Sequence, residues 1–194
     1  MVRSSVRKGP LPERAPARIG QTAQVHRSLI SHGCIVDGTV VNSVLSPGVR
    51  IEVGAVVRDS ILMFDTIVRR GAIVDRSIID KEAVIGQGAI VGDGGDDTPN
   101  RREPTRLNSG ISVVGKRAMI PRGARIGRNV KVGEGVRLVD FSSRVVKSGG
   151  SVERSDAPAS RSRAAPVGSA SGSNGVGEPP AIRAEASTAR RARD

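Results

Sequence analysis

The chain has 194 residues, 37% of them hydrophobic, with two Phe and no Trp or Tyr. That near absence of aromatics excludes the usual globular core, which depends on large rings for much of its buried area. The net charge of +12 divides into +5 over residues 1–30 (six Arg/Lys, one acid), +5 over 31–150 (eighteen, thirteen) and +2 over 151–194 (seven, five). Such a spread, without aromatic platforms for stacking bases, argues against specific nucleic-acid recognition.

Residues 1–17 form the expected leader, with Pro10, Pro12 and Pro16 set among arginines. From residue 18 the sequence repeats itself. Ser28, Ser43, Ser60 and Ser77, spaced 15, 17 and 17 apart, are each followed by two aliphatics: Leu29-Ile30, Val44-Leu45, Ile61-Leu62 and Ile78-Ile79. Six residues beyond each serine stand Cys34, Val49, Thr66 and Ala83, and two further on Val36, Ile51, Val68 and Ile85. An aliphatic near every sixth position, with small residues between, defines the coil of a parallel β-helix. Each six-residue unit supplies a short strand and a corner, and three units close a triangular coil. Stacked coils lie about 4.8 Å apart. Glycine, serine and alanine are expected at the crowded or positive-φ positions.

The repeat stops after Gly92. Asp93 begins a polar loop running to Ser109, long enough to suggest function or mobility. Its acidic residues Asp93, Asp96 and Asp97 lack the spacing of a calcium loop. No metal or cofactor is expected. The repeat then resumes with Val114, Ile120, Ile126, Val132 and Leu138 at intervals of six, and loses register after Ser143. The expected division is therefore a leader 1–17, a β-helix 18–143 carrying the loop 93–109, and a disordered tail 144–194 too poor in large aliphatics to offset the entropy of ordering.

Cys34 is the single cysteine and reads as a buried thiol in a reducing compartment. No apolar run reaches transmembrane length, and the basic start lacks a signal-peptide core, so a cytoplasmic location is expected. Histidines occur at positions 26 and 32 alone, too few for a three-histidine metal site. A hexapeptide acyltransferase, which needs a histidine base, and a non-enzymatic scaffold remain as rival readings.

The segments Ser28-Leu-Ile-Ser-His-Gly-Cys-Ile-Val-Asp-Gly, Ser43-Val-Leu-Ser-Pro-Gly-Val-Arg-Ile and Ile78-Ile-Asp-Lys-Glu-Ala-Val-Ile resemble the C-terminal half of glucose-1-phosphate adenylyltransferase. That family makes the sugar donor for bacterial glycogen from ATP and glucose 1-phosphate. The resemblance covers about residues 16–140 and implies a single-stranded left-handed β-helix, against the usual right-handed crossover. The family's nucleotidyltransferase half has a glycine-rich phosphate loop, which these 194 residues do not contain. The resemblance thus implies a regulatory and oligomerisation half, inactive alone, either as a truncated gene product or as a separately encoded partner.

It also implies effector residues. Ser31-His32-Gly33 matches a Ser-Gly-Gly segment that contacts small anions, with His32 replacing the central glycine. Lys81 matches a residue holding a sugar bisphosphate, and Lys116 roughly matches another. Independently of the resemblance, the repeat stacks His32, Pro47, Phe64 and Lys81 on one corner. Three coil steps, about 14 Å, separate His32 from Lys81. The expected ligand is a small anionic effector, a sugar phosphate or keto acid. The expected partner is a second copy or a catalytic domain. It would meet the open first coil at Ile19 and Val25 and the corner from His32 to Lys81, while Phe141 closes the other end.

Overall fold

The computed structural model describes residues 13–155. Apart from the loop at 94–111, short strands alternate with turns through these residues, and the described residues contain no α-helix. The strands form three parallel sheets of six, seven and seven members, taken in rotation as the chain advances until the last coil, which omits the first face. Arg18–Ile19, Gln24–His26 and Leu29–Ile30 are the first strands of the three faces. The faces enclose a triangular prism, a parallel β-solenoid, as the sequence period predicts.

The register explains the period. Ile19, Val36 and Ile51 stack on the first face, Val25, Val40 and Val57 on the second, Ile30, Leu45 and Leu62 on the third. These side chains point inward, and from the second coil onward they are completely buried. Nothing in this narrow core is larger than Leu or Ile. Ile19, in the first described strand, remains 48% exposed.

The aligned serines do more than save space. Ser28 Oγ accepts the amide of Ser43 at 3.1 Å, Ser43 Oγ that of Ser60 at 3.1 Å, and Ser60 Oγ that of Ser77 at 3.1 Å. The hydroxyls of Ser28, Ser43, Ser60 and Ser77 each donate to the carbonyl two residues earlier. Between the second and third faces, the positive φ falls one residue before each serine, on Arg27, Asn42, Asp59 and Arg76. This corrects the expectation that small residues take every such position. Asn and Asp accept this conformation readily, whereas each arginine carries a strain of about 1–2 kcal/mol.

The loop between Ile90–Asp93 and Ser112–Val114 is fastened to the solenoid. Asn100, fully buried, donates to the carbonyls of Asn129 at 2.9 Å and Gly150 at 2.8 Å. Its Oδ1 accepts the amides of Arg102 and Glu103. Asn129, also fully buried, reaches back to the carbonyl of Asp97 and the amide of Gly110. The loop is thus a strut across the last coils.

The solenoid also passes the expected end at residue 143. Val145–Val146 pairs with Arg125 and Ile126, and Ser151–Val152 with Lys131 and Val132. From Ile126 to Val146 is 20 residues (146 − 126), against 18 for an ideal coil. The two extra residues are taken up where Leu138–Asp140 forms a 3-10 turn in place of a first-face strand. Phe141 packs half-buried against the core, but a further coil follows it, so it is not the final lid. Residues 144–155 of the expected tail therefore belong to the fold. Residues 1–12 of the leader and 156–194 of the tail lie outside the described residues.

Candidate functional site

The corner after the third face gathers the residues singled out above. Gly48 donates its amide to His32 O, Asp65 to Pro47 O, Glu82 to Phe64 O, Arg117 to Lys81 O and Gly135 to Lys116 O. These bonds define one column, His32, Pro47, Phe64, Lys81 and Lys116. Ile79 pairs with Val114, so Lys81 and Lys116 occupy adjacent coils, one strand spacing of about 4.8 Å apart. The Lys81 ammonium lies 5.9 Å from the centre of the Phe64 ring, a cation–π contact. On the other side of this corner, Arg117 pairs with Glu134 at 3.3 Å.

The Ser31-His32-Gly33 turn heads this column. Ser31 N donates to Leu45 O at 3.0 Å and Gly33 N to Ala15 O at 2.7 Å, so both amides serve the solenoid. The Arg14 side chain crosses this turn and forms a two-point ion pair with Asp65, at 2.6 and 2.9 Å. Gly33, at φ +72°, leaves room for it, because a Cβ there would lie 2.8 Å from Arg14 Cδ. Asp65 holds the Arg14 guanidinium above its ordinary pKa by direct hydrogen bonding. The end of the leader is thereby tied to the corner, a contact that no local sequence pattern reveals. His32 is exposed, three coil steps from Lys81.

Cys34 is buried, and its Sγ donates to Ser46 O at 3.3 Å. Burial pushes the thiol above its usual pKa, which keeps it protonated and unreactive at neutral pH. The acidic residues of the loop are also committed. Asp93 pairs with Arg125 at 2.8 Å, Asp96 accepts from Thr98, and Asp97 faces Arg128 at 3.7 Å. Among the described residues no cluster of three or more His, Cys, Asp or Glu could hold a metal. A cleft of about 440 Å³ opens at the last coil between Arg101, Asp140, Phe141, Lys147 and Glu153. Neither histidine lines it, nor does either corner lysine.

A solenoid of short parallel strands in three faces, built on hexapeptide coils, defines the class. The family model for GlmU-like C-terminal hexapeptide regions matches residues 15–114. The chain belongs to that hexapeptide family. It is similar to glucose-1-phosphate adenylyltransferase from Thermomicrobium roseum, 55% identical over 72% of this chain and 33% of that protein. The same enzyme from Ruminiclostridium cellulolyticum is 51% identical over 74% of this chain, and that from Acetivibrio thermocellus 36% identical over 74%. The chain spans about one third of the length of these relatives, corresponding to their C-terminal hexapeptide region. Among solved structures, the acetyltransferase domain of PglB from Neisseria gonorrhoeae aligns with a TM-score of 0.43 at 20% identity, covering 74% of this chain and 53% of that one.

Proposed function

We propose that this chain is the regulatory and oligomerisation half of a glucose-1-phosphate adenylyltransferase-like protein of glycogen biosynthesis, working in the cytoplasm and without catalysis of its own. Its ligand is a small anion of the sugar-phosphate type, held on the corner after the third face. The observation that carries this reading is the stacking of Lys81 on Lys116 in adjacent coils. Two lysines whose backbones stand one strand spacing apart can turn both ammonium groups to a single anion. An anion held by both gains two charge-assisted hydrogen bonds. Because the amides of Ser31 and Gly33 are already engaged, this reading centres the site on the lysines and not on the Ser31-His32-Gly33 turn. Association with a second copy or with a catalytic domain completes the proposal.

Calorimetric titration with a hexose bisphosphate tests the site. The account expects saturable binding to the wild-type chain, weakened about tenfold by Lys81→Gln or Lys116→Gln, the loss of one charged hydrogen bond. Absence of binding to the wild type, or wild-type affinity in both variants, would contradict it.

A further inference from the structure

The outward side of the third face carries an uninterrupted aliphatic ladder. Leu29 pairs with Val44, Val44 with Ile61, Ile61 with Ile78, and Ile78 with Val113. Leu29 is 61% exposed, Val44 40% and Ile61 43%, while Ile78 and Val113 are half-buried. Beside this ladder run Ser31, Ser46, Met63, Asp80 and Gly115, so Asp80 is the single charge among ten outward positions. The first face is unlike it. Its column of Arg18, Ile35, Arg50, Ile67 and Val84 is broken by arginines, and Asp37, Glu52 and Arg69 stand alongside. On the second face, Val56, Ile73 and Ile90 follow Gln24 and Thr39, and are flanked by Arg58 and Asp75. The third-face ladder ends in the sixth coil at Lys131, which is paired with Glu103 of the loop.

We infer that this face is a two-fold interface with a second copy of the chain, an inference that rests on the assembly part of the proposed function and names its surface. A contiguous exposed apolar surface marks an interaction site. The choice of partner follows from the period. Branched side chains every 4.8 Å or so interdigitate best with a surface of the same spacing, and a second copy of this face supplies it. Five coils by five residues measure roughly 24 by 16 Å, or about 400 Å² per copy. The pair would bury about 800 Å², below the roughly 1,200 Å² of a standard stable interface. The dimer is therefore reversible and depends on concentration.

Symmetry makes the geometry specific. In a two-fold interface that lays ladder on ladder, the two solenoids run either parallel or antiparallel. Parallel, every ladder residue meets its own copy; antiparallel, the ladder pivots on its middle member. Ile61 is that middle member, so it touches the partner's Ile61 in both arrangements.

Sedimentation velocity over a concentration series, with Ile61→Asp and with oxidised Ile61→Cys, tests the interface. The expected result is a wild-type mass rising to twice the monomer, an Ile61→Asp chain that stays monomeric with an unchanged circular dichroism spectrum, and a disulfide-linked dimer from Ile61→Cys. A wild-type oligomer that Ile61→Asp leaves intact would overturn the assigned face while leaving assembly itself standing. A wild-type chain monomeric throughout would overturn the face and remove self-association from the proposed function.

Discussion

Ser60 and Ser77 are joined through the wall of the solenoid: Ser60 Oγ accepts the Ser77 amide at 3.1 Å while donating to the Arg58 carbonyl at 2.6 Å. The same pair of bonds recurs in the two preceding coils, so one hydroxyl per coil ties each corner to the next. Ser60→Ala should cost about 1–3 kcal/mol, because it leaves the buried Ser77 amide without its acceptor. Urea unfolding of the two chains measures this. An unchanged midpoint would show that the ladder follows the stacking without contributing to it.

Ile85 is completely buried between Val68 and Ile120 on the inward side of the first face. Coils above and below prevent collapse around a shortened side chain. Ile85→Ala should therefore cost about 2–5 kcal/mol. Val139 is 79% exposed, and Val139→Ala should stay within about 0.5 kcal/mol of the wild type. Equal losses from the two would mean that the inward columns are not the core.

Asn100 fastens the loop through two carbonyls and two amides at a fully buried position. Asn100→Ala leaves several of those groups unpaired, at a cost of about 1–3 kcal/mol for each that water cannot reach. The loss should appear first as faster hydrogen exchange over residues 94–111, since the strands of the first coils do not depend on this residue. Exchange that accelerates equally at Val40 and Val57 would instead show that loop and solenoid open together.

The coil was legible because its constraint is local and repeated. One inward aliphatic per face recurs within 15–17 residues, and the serines mark the corner directly. The last coil was not legible because the two residues absorbed at Leu138–Asp140 displace Val146 and Val152 from the six-residue grid. The strut was missed because Asn100 sits among Thr, Pro and Arg, where composition suggests a free loop; its partners Asn129 and Gly150 are 29 and 50 residues away in the chain. The corner column could be read as far as Lys81. Its extension to Lys116 required knowing that the loop adds no turn of the solenoid between Ile79 and Val114. The Arg14–Asp65 tie has no local pattern at all, since a 51-residue separation closes it.

The central claim, a regulatory and assembly half without its own chemistry, is tested most directly by pyrophosphate release. The highly purified 194-residue chain is incubated with ATP and glucose 1-phosphate, with and without a hexose bisphosphate. The account predicts no release above the protein-free control in either case. Release in proportion to chain concentration, persisting through further purification, would contradict it.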